Sequence, residues 1–112
     1  MRVIDAPTAP QPLPSIRVER RRQRSYPEWA ALRRWGKLPA AEAEVVGYRL
    51  RDLREAAALT QRELAVRLGV SQQAVAQAER WSANPTFGFV RRWADACGGR
   101  AALLLEPHRD GE

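Results

Sequence analysis

Twenty residues, Gln61 to Arg80, read QRELAVRLGVSQQAVAQAER and leave room for one arrangement: a short helix, a tight turn and a second short helix. Thr60 and Glu63 form a T-x-x-E capping box, in which each side chain satisfies an otherwise unpaired backbone N–H of the first turn. Leu59 and Leu64 flank that start as a hydrophobic staple. Leu64, Ala65 and Leu68 then share one face, and Gly69 stands where a helix stop needs positive φ. Ser71 is placed to cap the next helix, with Val70 and Val75 repeating the staple around it. Two capped starts eleven residues apart fix the length of the first helix and the tightness of the turn.

Such a pair has a use. Ala65 is small where two steeply crossed helices approach, and Leu68, Val70, Val75 and Ala78 hold the second helix against the first. Ser71, Gln72, Gln73, Ala76, Gln77 and Arg80 remain off the buried face of the helix over 71–81. Three of the six glutamines in the chain fall within six residues there. A glutamine on a groove-docked helix pairs bidentately with adenine N6 and N7, worth about 1–3 kcal/mol of discrimination per good pair. Base reading in the major groove outweighs the plainer alternative, polar surface on a soluble helix. Gln61, heading the preceding helix, is placed to meet a phosphate beside exposed backbone N–H groups. Arg62, Arg67 and Arg80 can add phosphate contacts that set register without reading bases.

Residues 48–99 resemble the Xre, or Cro/C1-type, helix-turn-helix family through LTQRELAVRLGVSQQAVAQAER, the following NPT and an apolar helix ending at Cys97-Gly98-Gly99. The run SQQAVAQAE is similar to the recognition helix of lambdoid phage repressors, whose glutamines match Gln72, Gln73 and Gln77. The resemblance implies an all-α fold, a compact four- to five-helix bundle of the lambda-repressor-like type, bound to double-stranded DNA as a homodimer. After the position of Glu79 the family usually carries one residue and then Gly, whereas this chain reads Arg80-Trp81-Ser82. The turn there is expected to be longer or differently packed, with Trp81 as a plug beneath it.

The flanks are less constrained. Leu50, Leu53 and Ala57 predict a first core helix from Tyr48 to about Ala58 or Leu59, with Arg49, Arg51, Asp52 and Arg54 turned outward. Thr86 suits the cap of a later helix that buries Phe89 (or Phe87), Val90, Trp93, Ala94 and Cys97 and exposes Arg91, Arg92 and Asp95. Arg100 to Glu106 is apolar and too short for a long helix before Pro107. The resemblance implies a fifth helix there or a short C-terminal strand that pairs with its twin, and the strand is the expectation taken here. Upstream, Ser25 to Gly36 reads as a helix with Pro27 in its first position and a Trp29, Leu32, Trp35 stripe packed on its own domain. Residues 1–16 are Pro-rich, and 17–24, RVERRRQR, form a basic run that is either a DNA-contacting arm or solvated charge. The expected division is a disordered arm over 1–24, a helical extension and loop over 25–47, the helix-turn-helix domain over 48–106 and a loose tail over 107–112.

Nineteen Lys and Arg against 13 Asp and Glu give a net charge of +6, which favours polyanionic partners. An enzyme is not expected: one Cys and one His near the tail make no activated nucleophile, and no metal-ligand spacing or glycine-rich phosphate loop is present. No cofactor, metal site, membrane span or secretion signal is expected either, so the default address is cytoplasmic. The leading expectation is a sequence-specific transcriptional regulator, a dimeric repressor. The alternative is a HigA-like antitoxin that neutralises a small RNase toxin and represses its own operon, with the Trp29/Trp35 segment as the toxin-facing extension.

Overall fold

Every capped helix start predicted from the sequence is made in the computed structural model, which describes residues 23–108. The arm expected over 1–24 lies outside those residues except for Gln23 and Arg24, as do the last four residues of the tail. The element order is α1 (Tyr26–Arg34), a 3₁₀ turn (Ala40–Glu44), α2 (Val46–Ala56), α3 (Gln61–Leu68), α4 (Gln72–Ala78) and α5 (Phe87–Ala96). Both halves of the capping box form at α3. Thr60 Oγ1 accepts from the Glu63 N–H at 3.0 Å, and Glu63 Oε1 accepts from the Thr60 N–H at 2.9 Å. Ser71 Oγ accepts from the Ala74 N–H at 3.0 Å and Thr86 Oγ1 from the Phe89 N–H at 3.1 Å. Gly69 closes α3 at a φ of 72°, so the turn between α3 and α4 is as tight as the pattern requires.

The main core lies where α2, α3, α4 and α5 converge. Leu50, Leu64, Ala65, Leu68, Val75 and Trp93 are buried together, with the staple residues Leu59 and Val70 packed on their edge. Trp93 is fully enclosed, and its indole Nε1–H donates to the Leu50 carbonyl at 3.0 Å, tying α5 to α2 across the bundle. Cys97 packs against this core, and burial pushes its thiol above the usual range, as befits a packing residue rather than a nucleophile.

A second cluster joins α1 to α2. Trp29 is fully buried, its Nε1–H donating to the Glu42 carbonyl at 2.8 Å. Tyr26 and Trp29 stack at 5.9 Å, and Tyr48 meets both edge-on. Trp81, from the turn after α4, closes the cluster by meeting Tyr48 edge-on at 5.6 Å. The plug expected of Trp81 is therefore present, and its target is this aromatic cluster.

Several expectations are corrected. Trp35 is 71% exposed while Trp29 is fully enclosed, so the stripe does not pack as a unit. Six residues advance the helix to about 240° from the starting side chain, and Trp35 also lies past the last helical residue. α2 starts at Val46 rather than Tyr48 and stops at Ala56, with Ala58 in the left-handed region at a φ of 60°. Arg54, expected outward, is buried. α4 spans Gln72–Ala78, shorter than 71–81, because Ser71 is its cap and Glu79 turns inward. No strand forms among the described residues: 101–108 have neither helix nor strand, since a strand needs a partner and the single chain offers none. No described helix is long and apolar enough to cross a membrane.

Gly47 explains how the chain manages without a glycine after α4. A Cβ built on Gly47 would lie 1.9 Å from the Arg80 carbonyl oxygen and 2.8 Å from its carbon. The start of α2 and the turn leaving α4 thus touch backbone to backbone. The glycine needed for close approach sits on α2 instead of in the turn.

Candidate nucleic-acid interface

α3 and α4 set the position of every candidate residue. Val75 and the half-buried Ala78 bind α4 to the core, which leaves Ser71, Gln72, Gln73 and Gln77 exposed and Ala76 half-buried beside them. Arg80, just past the helix, is exposed, as is Arg62 in the first turn of α3. The glutamine amides of α4 therefore stand clear of the body of the described chain.

A buried polar network holds this pair of helices in register. Glu79 accepts from Arg54 through a two-point pairing, Nε to Oε2 at 2.6 Å and Nη2 to Oε1 at 3.0 Å. Arg54 also donates from Nη1 to the Leu59 carbonyl at 2.8 Å, which fixes the residue preceding the cap of α3. Hydrogen bonding to Glu79, opposed by burial, holds the Arg54 guanidinium above its ordinary range, so its charge is permanent. Removing one member of such a buried pair costs about 3–5 kcal/mol, because the other charge is left uncompensated.

Gln61 enters the same network. Its Nε2 donates to Glu79 Oε1 at 3.0 Å. An amide nitrogen carries two hydrogens, so one remains for an acceptor outside while Glu79 orients the group. Arg67 is tied elsewhere: its Nη1 donates to the Ala96 carbonyl at the end of α5, at 2.9 Å. That bond anchors one end of its guanidinium to the last turn of α5.

Beside Gln61 and Ala76 lies an open depression of about 460 Å³, bounded also by Gln23, Tyr26, Arg51 and Arg80. Arg51 sits with its guanidinium 4.1 Å from the centre of the Tyr26 ring and pairs with Glu55 at 2.9 Å. Burial, with smaller contributions from Glu55 and Asp52, pushes the Tyr26 hydroxyl up to about 12, so it stays a neutral donor, directed at Asp52 Oδ1 at 3.4 Å.

Sequence reasoning missed Arg54, Glu79 and Gly47 as positioning residues, and Gln23 as a neighbour of α4. A signal existed for Arg54, which follows Leu50 by four residues and so falls within the apolar stripe of α2. For Gly47 and Gln23 no local signal exists.

A family model described as a helix-turn-helix domain matches residues 45–106, more than half of the 112-residue chain. The match takes in α2 to α5 and leaves α1 outside. No curated protein and no solved structure gives a significant match.

Proposed function

We propose that this chain, which belongs to the helix-turn-helix domain family, is a sequence-specific transcriptional regulator, a repressor of the Xre or Cro/C1 type that reads the major groove with α4. One observation carries the reading: Gln72, Gln73 and Gln77 are exposed on the same short helix whose Val75 is wholly buried. Gln72, Gln73 and Gln77 read base edges, Ala76 offers its methyl to a thymine methyl, and Ser71, Gln61, Arg62 and Arg80 hold phosphates. Selecting duplexes from a random pool provides an operator. The wild-type chain then binds it more tightly than scrambled duplex, and Q72A/Q73A loses that preference while keeping weak, salt-sensitive binding. Retained preference in the double variant would remove the glutamines from the reading.

Two half-sites need two copies, with recognition helices about 34 Å apart. The C-terminal tail supports self-association. Leu103, Leu104 and Leu105 are 60%, 78% and 81% exposed, a consecutive apolar run that a single chain leaves in water. Antiparallel pairing of two tails about Leu103 sets Arg100 opposite Glu106 on both sides of the axis, a favourable cross-strand pair. Sedimentation should give a dimer for the wild type and a monomer for L104D, and an unchanged L104D dimer would place the interface elsewhere.

A second reading, an antitoxin that also represses its own operon, is favoured by Trp35, an exposed aromatic on the α1 side, outside the family match. Co-expression with the product of the adjacent reading frame tests it. A stable complex that W35A disrupts supports the antitoxin, and no complex in the wild type removes it.

A further inference from the structure

We propose that Arg51 of α2, held in place by Tyr26 of α1, contacts a DNA backbone phosphate next to the one assigned to Gln61. The inference rests on the DNA-reading role of α4. It extends the DNA face across the open depression and gives a part in binding to α1, which lies outside the family match.

The depression continues the α4 face. Gln61, Ala76 and Arg80 border it, and so does Arg51. The polar groups around it sort by what they still have to give. The Tyr26 hydroxyl is directed at Asp52 at 3.4 Å, and the Tyr48 hydroxyl donates to the Arg24 carbonyl at 2.6 Å, so both tyrosine donors are already engaged. Glu79, the carboxylate that borders the depression, is buried and bonded to Arg54 and Gln61. What is left is two guanidinium groups, Arg51 and Arg80, and the second amide hydrogen of Gln61. Such a set takes an oxyanion, and the planar fork of a guanidinium matches phosphate oxygens in particular. The neighbouring glutamines of α4 make the phosphate in reach one of the DNA backbone.

Arg51 is also held ready. Its Nε–H is given to Glu55 at 2.9 Å, and Glu55 does not border the depression, so this bond steadies the group without placing a carboxylate in the hollow. Both terminal amino groups of the guanidinium are then left for another acceptor. The same guanidinium lies 4.1 Å from the centre of the Tyr26 ring. Tyr26 is itself buried with Trp29 and Tyr48, so the ring beneath Arg51 is fixed by the aromatic cluster. A guanidinium stacked on a fixed ring loses less freedom when it binds. Tyr26 is therefore a positioning residue, and α1 acts on the DNA through it.

The experiment follows binding of the full chain to the selected operator against salt concentration. R51A should bind roughly tenfold more weakly, the loss of one charged hydrogen-bonding contact. Its log–log salt slope should be flatter by about 0.9, the value of one phosphate contact. Preference for operator over scrambled duplex should not change. R91A removes the same charge from an exposed position on α5 that does not border the depression, and should alter neither quantity. A flattening below about 0.4 in R51A, or an equal change in R91A, would overturn the proposal. Y26F keeps the ring and should bind as the wild type does, whereas Y26L should bind more weakly. In the R51A background Y26L should add no further loss, and an additive loss would show that Tyr26 acts on the fold instead. Inorganic phosphate alone, titrated against wild type and R51A, tests the source of the anion. Saturable binding that R51A abolishes, with the DNA salt slope unchanged, would replace the backbone contact by a small phosphorylated ligand. Failure of the α4 reading is a separate result: Q72A/Q73A would then keep operator preference while R51A still flattened the slope.

Discussion

Two aromatic anchors, Trp93 and Trp29, are both fully enclosed and both donate their indole N–H to a backbone carbonyl, yet they do different things. Trp93 sits at the centre of the aliphatic core shared by α2, α3, α4 and α5, so everything that positions α4 depends on it. Trp29 sits among tyrosines and Trp81 at the edge, where it fastens α1 and the start of the described chain to a bundle already complete. The family match covers the first region and, of the second, takes in Tyr48 and Trp81 but leaves out Tyr26 and Trp29. One region builds the helix-turn-helix frame, and the other adds an attachment to it.

The comparison breaks most visibly under W93A, for which truncation of an enclosed tryptophan costs about 3–5 kcal/mol. Denaturant unfolding should show the whole bundle destabilised. G47A comes next, with a loss of about 3 kcal/mol expected, because the new methyl meets the Arg80 carbonyl at a joint between the two regions. Thermal unfolding measures it, and a near-neutral result would mean that the α2–Arg80 approach is not tight. W29A should act locally, its cost limited to undocking α1 from a bundle that stays folded. Hydrogen exchange would then show α1 losing protection while α3 and α4 keep theirs, and a uniform loss would erase the distinction between the regions.

A pH titration sharpens the contrast further. The Tyr26 hydroxyl is raised from 10.0 to about 12 in the folded chain, so the neutral form is favoured on folding. The resulting stability is complete below pH 10 and is lost as the pH rises towards 12. The difference in stability between wild type and Y26F should change across that window. A difference that stays flat from pH 9 to 12 would contradict the burial of Tyr26. The smallest effect is a gain: A58G relieves a left-handed alanine after α2 and should stabilise by about 0.5–1 kcal/mol in thermal unfolding.

The helix-turn-helix frame was legible because its determinants are local. A cap acts over three residues and a staple over five, so Thr60, Glu63, Ser71 and the flanking Leu and Val residues declare themselves in sequence order. The Arg54–Glu79 pair joins residues 25 apart, and nothing around Arg54 says which carboxylate it will meet. Gly47 is decided by a backbone approach 33 residues downstream, visible only once α2 and the Arg80 turn are placed. Trp35 shows the opposite error, a periodic stripe extended past the end of a nine-residue helix. A strand over the tail from Arg100 needs a partner strand, which the single chain does not contain. Local chemistry located the candidate site, and long-range contacts decided how firmly it is held.

The most direct test follows the side-chain amide resonances of Gln72, Gln73 and Gln77 in a nitrogen-15 correlation spectrum as selected duplex is added. The three amide pairs should shift with operator and stay close to their free positions with scrambled duplex, while the backbone of α5 is little changed. Unmoved glutamine amides alongside clear shifts on α1 or α5 would show that another face meets the DNA.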